Sequence, residues 1–235
     1  MSVAPRTSAA AKTRHGPAYP VLLSLEGRAV LIVGGGAVAL RKARALLAGG
    51  AKVTVLGESF SRDFKKLPAV RLLRRNYRAG WLNRPGAPRW RLVFAATNQP
   101  AVNAQVRRDA QRAGIWCCRC DAPEASDFVR PAVQTRGAIM VAVSTRGAAP
   151  ALARRLCRGL ANRVDGVWRQ HVRLLTRWRT EVLAEMPAGK QRRAFLERLA
   201  GAEMEQVLRQ GGEQAALRLF ARWRREQRAL GGVRF

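Results

Sequence analysis

Residues 29–47 read AVLIVGGGAVALRKARALL, and this stretch decides the fold. The apolar run at 29–33 predicts a buried strand, and apolar residues then recur at helical spacing. Three glycines separate the two patterns. Gly34 suits the sharp turn that leaves the strand, and Gly36 lets the backbone approach a pyrophosphate at the helix N-terminus. The stretch therefore predicts a dinucleotide-binding turn, and the alternative is a glycine turn that serves only packing.

The residues after this turn supply the context that a dinucleotide fingerprint requires. Ala39 takes the third glycine position, where a small residue suffices because helix and strand meet closely. Gly49 and Gly50 stop the helix, and residues 51–56 read AKVTVL, a second strand. The order strand, turn, helix, strand favours nucleotide binding over a plain packing turn.

Glu58 and Ser59 follow the tip of the second strand, where an acidic residue is expected to hold the ribose hydroxyls. Glu58 favours NAD over NADP, because its carboxylate repels a 2′-phosphate. Arg62 could instead attract such a phosphate. These residues alone therefore leave the choice of coenzyme open.

The rest of the chain divides into an alternating α/β part and a helical part. The strand at 90–96 is expected near the fingerprint, and the carboxyl end of such a strand faces the cofactor. Thr97 and Asn98 follow that end and are candidate ribose or nicotinamide contacts, or else a polar cap for the next helix. The other predicted elements are a short helix at 60–67, a helix at 101–113, strands at 70–73, 115–120, 127–133 and 138–144, a helical stripe from Pro150 to a break at Met186-Pro187, and helices at 188–200 and 202–230, the last interrupted at Gly211-Gly212.

The charge is extreme, because 44 basic residues face 15 acidic ones and give a net charge of +29. Such a field attracts polyanions: nucleic acid, an anionic membrane surface or a small substrate rich in carboxylates. Arginines spread over solvated faces are the alternative, since they do not form one block. We do not predict a nucleic-acid partner, because no base-reading module is recognisable. No apolar run of membrane-spanning length occurs, so no membrane span is predicted.

The cysteines indicate thiols rather than a metal site. Cys117, Cys118 and Cys120 share one strand-like run, Cys157 stands apart, and the chain has only 2 histidines. This spacing lacks a second pair of metal ligands. We therefore predict free thiols in a reducing cytosol, a cytoplasmic location and no bound metal.

Four segments together resemble one protein family. They are LIVGGGAVALRKA from Leu31, FAATNQPAVNAQV from Phe94, CRCDAPEASDFVRPA from Cys118 and MVAVSTRGAAPALARRL from Met140. The chain resembles the precorrin-2 dehydrogenases and sirohydrochlorin ferrochelatases, which form the early domain of siroheme synthase. The first segment is generic, whereas the other three, in this order and spacing, are specific to the family.

The resemblance implies NAD-dependent dehydrogenation of precorrin-2 to sirohydrochlorin, and in some members the insertion of ferrous iron to give siroheme. The substrate would be a tetrapyrrole rich in carboxylates, and the assembly a homodimer. A non-catalytic module that binds NAD or a tetrapyrrole is the alternative. The expected fold is a Rossmann-like doubly wound parallel sheet, a small β region and an all-helical domain. The expected segments are a disordered leader at 1–18, the NAD-binding domain at 19–114, a dimerisation and substrate region at 115–149 and the helical domain at 150–235.

The resemblance also assigns residues. Ala37, Val38, Glu58 and Ser59 match cofactor contacts, and Asp121 matches the key acidic residue of the family. A carboxylate there can accept the proton released as hydride leaves, or take protons from pyrrole nitrogens as metal enters. The residues alone favour a different interpretation, in which Asp121 is a turn residue ahead of Pro123.

Ser144 and Thr145 match a pair of serines near the substrate. This chain departs from the family pattern at several positions: threonine replaces the second serine, Arg146 replaces a glycine, Cys118 replaces an asparagine and Ala149 replaces a serine. The departures leave the glycine turn and the key aspartate intact.

Overall fold

The computed structural model describes residues 18–229, which form two compact units. The first unit holds the chain up to Arg130 together with Arg146–Ala148. The second holds Pro131–Thr145 and the chain from Ala149 onward. All but the last residue of the predicted leader, and the predicted helix end at Leu230, lie outside the described residues.

A five-stranded parallel sheet forms the centre of the first unit, in the order β3-β2-β1-β4-β5. Strand β1 is apolar throughout and almost wholly buried, as expected for a central strand covered on both faces. Helices α1 and α2 pack against the sheet. The elements are β1 Ala29–Val33, α1 Ala37–Ala48, β2 Lys52–Gly57, β3 Arg71–Arg74, β4 Leu92–Ala95, α2 Pro100–Arg112 and β5 Trp116–Arg119.

The order of the strands creates a switch point. From β1 the chain runs to β2 and β3 on one side, and it then returns to β4 and β5 on the other. The connections on the two sides of β1 therefore diverge, and a crevice opens at the carboxyl ends of β1 and β4. The predicted doubly wound fold is confirmed.

The second unit contains a two-stranded antiparallel hairpin and four helices. Helix α3 packs on the hairpin, and the Cys157 thiol lies within hydrogen-bonding distance of the Ala132 and Val141 carbonyls. In the remaining helices Trp178 stacks on Phe220, with their ring centroids 4.6 Å apart. The elements are β6 Ala132–Arg136, β7 Ile139–Val143, α3 Pro150–Asn162, α4 Gly166–Glu185, α5 Lys190–Leu199 and α6 Ala202–Ala229. As predicted, α6 is interrupted, by a kink at Gly212, where φ is 63°.

Three predicted elements differ from the structure. The short helix at 60–67 is a single 3₁₀ turn, Arg62–Lys66. The strand predicted at 127–133 begins only at Ala132, because the Asp127 carboxylate accepts the Cys117 N–H and holds the preceding segment in a loop. The stripe after Pro150 is two helices rather than one, since Asp165 caps a new helix by accepting the Trp168 N–H at 3.0 Å.

The compact units divide the chain at other positions than the predicted domains. Strand β5 pairs with β4 and belongs to the large sheet. The units change at Arg130, and α3 shares a unit with the hairpin. The domain boundaries after residues 114 and 149 stay predictions. Within the described range, no helix is both long and apolar enough to cross a bilayer.

Candidate functional site

The glycine turn brings the ends of three strands together. Gly34 is buried with φ 118°, and a Cβ atom on it would lie 2.3 Å from the Ala96 carbonyl oxygen. Its N–H donates to the Leu56 carbonyl at 2.7 Å. Only glycine allows this approach, because the backbone of β4 occupies the space of any side chain. The ends of β1, β2 and β4 are therefore held against one another.

The next two glycines have different surroundings. A Cβ atom on Gly35 would lie 1.8 Å from the Ser59 carbonyl oxygen, so this residue seats the loop that follows β2. Gly36 has φ −80° and open space around its ideal Cβ position. The N–H groups of Ala37 and Val38, both exposed, lie in the first turn of α1, where no helical carbonyl precedes them. This turn holds no acidic residue and has the electropositive end and open approach that a pyrophosphate needs.

Glu58 and Ser59 lie beside this turn. Both are exposed and follow directly on β2, which is the strand next to β1. Arg62 is also exposed, on the 3₁₀ turn that follows. The structure thus places Glu58 at the strand tip where a ribose-binding carboxylate is expected.

Thr97 and Asn98 follow β4, and Thr97 is fixed by a buried asparagine. The Asn103 Oδ1 atom accepts from the Thr97 N–H at 3.1 Å and from its hydroxyl at 2.8 Å, and Nδ2 donates to the Thr97 carbonyl at 3.0 Å. The Thr97 hydroxyl also accepts the Gln99 N–H at 3.1 Å. Its side chain therefore orders the entry to α2 without capping it, since the N-cap residue is Gln99 and no side chain makes a cap hydrogen bond, while Asn98 is exposed.

Asp121 lies just beyond β5 and forms a two-point ion pair. The Arg119 guanidinium donates to its carboxylate at 2.7 Å and 3.3 Å. This contact lowers the Asp121 pKa below its ordinary value of 3.8; partial burial opposes the shift, and a hydrogen bond from Asn103 adds to it. The carboxylate is therefore ionised at neutral pH. Sequence reasoning missed both Arg119 and Asn103. Asn103 is fully buried on α2, on a face that also buries Asp109.

Ser144 and Thr145 lie in the second unit, at the end of β7. Ser144 is exposed, and the Thr145 hydroxyl accepts the Ala149 N–H at 3.0 Å, ahead of α3. Arg146 has φ 50°, where a glycine would be unstrained. In the first unit, one sheet edge gathers the other predicted site residues: Gly34, Gly36, Ala37, Val38, Glu58, Ser59, Thr97, Asn98 and Asp121. Within residues 18–229 no group of three metal-ligating side chains is found.

The fold and the glycine turn define an NAD(P)-binding protein of the doubly wound α/β class. Residues 21–132 match a protein family described as "Putative NAD(P)-binding". Siroheme synthase from Pseudomonas paraeruginosa is 36% identical over 217 residues, which cover 91% of this chain and 44% of that protein. Siroheme synthase from Methylococcus capsulatus is 36% identical over 219 residues, or 91% of this chain and 46% of that protein.

A solved structure of "SirC, precorrin-2 dehydrogenase" shares the fold, with a TM-score of 0.67 and 24% identity over 87% of this chain and 100% of that one. The chain is a homologue of the siroheme synthases, which confirms the resemblance predicted from the four segments. It spans less than half the length of these curated relatives.

Substitution of two glycines separates coenzyme binding from folding. Gly36→Ala keeps an ordinary φ, and its methyl group meets open space, so we expect an unchanged melting temperature. We expect NAD to bind about tenfold or more weakly, a loss of ~1.4 kcal/mol, because the methyl group occupies the space through which the pyrophosphate approaches. Gly34→Ala is the contrasting variant, since it forces a left-handed residue against backbone and costs about 2–3 kcal/mol or more of stability. Calorimetric NAD titration and thermal unfolding measure both. Undiminished NAD binding by Gly36→Ala would place the pyrophosphate elsewhere.

Removal of the Arg119 guanidinium tests its effect on Asp121. The cation stabilises the ionised carboxylate, so Arg119→Met should raise the Asp121 pKa toward 3.8 or above, whereas Arg119→Lys keeps most of the charge. Carbon-13 NMR of the labelled aspartate side chain over an acid titration reports the pKa directly. An identical titration of Asp121 in the methionine variant and the wild type would contradict the assigned contact.

Proposed function

We propose that this chain oxidises precorrin-2 to sirohydrochlorin with NAD as the hydride acceptor. One observation carries the proposal: an ionised carboxylate, Asp121, lies just beyond β5, the strand beside β4, on the sheet edge that holds the dinucleotide turn. The names of the relatives agree with it, since they are siroheme synthases. A dehydrogenation releases one hydride and one proton. This edge has the predicted site of NAD, which takes the hydride, and the Asp121 carboxylate, which can take the proton.

Different residues at this edge bind the coenzyme and accept the proton. The first-turn amides of Ala37 and Val38 bind the pyrophosphate in the space above Gly36. Thr97 and Asn98 end the strand adjacent to β1, in the position of ribose or nicotinamide contacts. Bound NAD supplies the electrophilic carbon that takes the hydride. Asp121, held by Arg119, accepts the proton that the tetrapyrrole loses.

Glu58 supports NAD as the coenzyme rather than NADP. Its carboxylate lies at the tip of β2, where it accepts hydrogen bonds from ribose hydroxyls and repels a 2′-phosphate. Arg62 is one 3₁₀ turn further along and carries the opposite charge. The ratio of rates with the two coenzymes decides between these side chains.

Ferrous iron is the second proposed substrate, as the resemblance implies. Metal insertion requires a group that takes protons from the pyrrole nitrogens, and the ionised Asp121 carboxylate is such a group. Ser144 and Thr145 stay predicted contacts of the tetrapyrrole.

A second copy of this chain is the proposed partner. Helix α3 buries Ala153, Cys157 and Ala161 but leaves a parallel row of leucines exposed, Leu152, Leu156 and Leu160, at 39%, 44% and 47%. Met140, on the hairpin under α3, is 52% exposed. A contiguous apolar row at four-residue spacing is typical of an interface, and two copies related by a twofold axis would bury each other's row.

The enzymatic proposal is tested by the absorbance of an anaerobic mixture of the protein and precorrin-2. We expect the sirohydrochlorin spectrum with NAD, more slowly with NADP, and a further shift on addition of ferrous iron that exceeds the protein-free rate. Asp121→Asn should slow the NAD-dependent step by about 10²–10⁴-fold, because it removes the proton acceptor. Asp63→Asn is the matched control, since Asp63 pairs with Lys66 and is not among the predicted contacts of coenzyme or substrate. The absence of any NAD-dependent change would favour the non-catalytic binding module.

The dimer is tested by sedimentation of a variant with a charge in the leucine row. We expect Leu156→Glu to be monomeric at concentrations where the wild type is dimeric, because an unpaired carboxylate is too costly to bury at an apolar interface. Arg155→Glu, on the same helix but off the leucine row, should stay dimeric. A dimeric Leu156→Glu variant would refute this interface.

A further inference from the structure

The two outer strands of the large sheet differ in how their open sides are covered. At β5 the chain returns along the strand: the Asp127 N–H donates to the Cys117 carbonyl at 2.9 Å, and the Asp127 carboxylate accepts the Cys117 N–H at 2.8 Å. The Ser126 hydroxyl accepts the Arg119 N–H at 2.8 Å. These groups occupy the hydrogen-bonding positions that a further strand would use, so the β5 side of the sheet is closed.

Strand β3, at the other side of the sheet, has no such cover. The Arg75 N–H donates to the Gly57 carbonyl of β2 at 3.1 Å. Because the backbone groups of successive residues point to opposite sides of a strand, those of Leu72 and Arg74 point away from β2. Among the described residues, no backbone hydrogen bond joins these groups to another segment. The β3 edge therefore has the open donors and acceptors to which an extended peptide can add a strand.

Arginines lie on both faces of this edge. Leu73 packs with Leu56 on the face that α2 covers, so Arg71, two residues earlier in the strand, lies on the same face. Leu72 and Arg74 lie on the opposite face. Arg71 and Arg74 are exposed, and Leu72 is 40% exposed. The four residues of β3 thus present a cation, an apolar side chain and a second cation to a neighbouring strand.

No acidic side chain neutralises these cations. The sequence between Asp63 and Asp109 contains no Asp or Glu, whereas residues 65–91 contain 9 Lys or Arg. In the part of the chain that the structure describes, no ion pair includes Arg71 or Arg74. Guanidinium groups bind carboxylates through two parallel hydrogen bonds. The β3 edge is therefore complementary to an acidic partner.

The aromatic residues that follow β3 argue against a nucleic acid at this edge. The Arg84 guanidinium lies 3.5 Å from the centre of the Trp81 ring, and Trp81 stacks on Trp90 with their ring centroids 5.9 Å apart. Trp90 itself is buried. Proteins that bind single strands use aromatic rings as platforms for bases, and here Trp81 is already occupied by protein side chains. An open strand edge, by contrast, matches the backbone of a polypeptide.

We propose that the β3 edge binds an extended acidic segment of a partner protein, which adds a sixth strand to the five-stranded sheet. Side chains that lie opposite each other in paired strands point to the same face and interact. Carboxylates therefore lie opposite Arg71 and Arg74, and an apolar residue lies opposite Leu72. The segment that fits reads acidic, apolar, any residue, acidic, in either strand direction. This function is additional to the dehydrogenation and does not depend on it.

This chain does not supply the segment itself. Pairing of two β3 strands from two copies would place arginine against arginine, and like charges directly opposite each other destabilise paired strands. Residues 1–17 carry Arg6, Lys12 and Arg14 and no acidic residue. The segment therefore belongs to a different protein.

The recognition is tested by fluorescence anisotropy of the full chain with a labelled peptide whose centre is Glu-Val-Val-Glu, which has the same order in both directions. A peptide with the centre Val-Glu-Glu-Val has the same composition and charge but the wrong spacing. A third peptide has the first order with N-methylated valines, which cannot pair as a strand. We expect both controls to bind about tenfold or more weakly, as for the loss of hydrogen bonds to charged groups. Equal binding of the three peptides would overturn the proposal, since only net charge would then be recognised.

Variants of the protein locate the binding site. We expect Arg71→Gln and Arg74→Gln each to weaken the first peptide by about fivefold, the upper range for an exposed ion pair. Arg89→Gln is the matched control, because it removes the same charge from the same basic segment but lies ahead of β4. An equal loss in Arg89→Gln would overturn the proposal. So would a thymidine oligonucleotide that binds more tightly than the peptide and depends on Arg71, since it would assign the edge to nucleic acid.

Amide hydrogen exchange of the full chain, followed by NMR, tests the strand pairing directly. We expect the peptide to slow exchange of the Leu72 and Arg74 N–H groups, which point to the open side. The Arg75 N–H should be unaffected, because it already donates to Gly57. Unchanged exchange at Leu72 and Arg74 with the peptide bound would overturn the proposal, whether or not the chain oxidises precorrin-2.

Discussion

The contact between Gly34 and the backbone of Ala96 is the constraint on which the rest of the first unit depends. No side chain fits between the ends of β1 and β4, and the Gly34 N–H also joins β1 to the end of β2. The turn that results starts α1 with an open N-terminus at the middle of the sheet edge. The predicted contacts of the coenzyme lie at this helix N-terminus and at the strand ends around it.

The second determinant of the site is the network around Asn103. This buried side chain orders Thr97 after β4 and contributes to the low pKa of Asp121 after β5. Together with Arg119, it keeps the Asp121 carboxylate charged at the edge that also holds the N-terminus of α1. The net positive charge of the chain has the sign expected for the proposed substrate, because a molecule rich in carboxylates is attracted to a cationic protein.

The sequence predicted the local features well and the long-range ones poorly. A few adjacent residues determine the glycine turn, the strands of the large sheet and the kink at Gly212, so these features could be predicted. The late start of β6 does not, since it depends on Asp127 reaching back to Cys117. The break before α4 was missed because apolar residues continue at helical spacing across it, at Val164 and Val167.

The candidate site also combines residues that the sequence could identify with contacts between elements that it could not. Asp121 could be named from a resemblance, but Arg119 and Asn103 act through contacts between elements that no spacing reveals. Neither the pairing of the aspartate nor the ordering of Thr97 was therefore predicted. The assignments of Glu58, Asn98 and Ser144 stay predictions, because these three side chains are exposed and burial does not define their roles.

The central claim is that hydride passes from a tetrapyrrole to NAD at the edge built around Gly34. The most direct measurement is the ratio of NADH to sirohydrochlorin formed by the full chain when oxygen is excluded. Our account predicts equal amounts throughout the reaction. Sirohydrochlorin formed without NADH, or NADH formed without loss of precorrin-2, would contradict it.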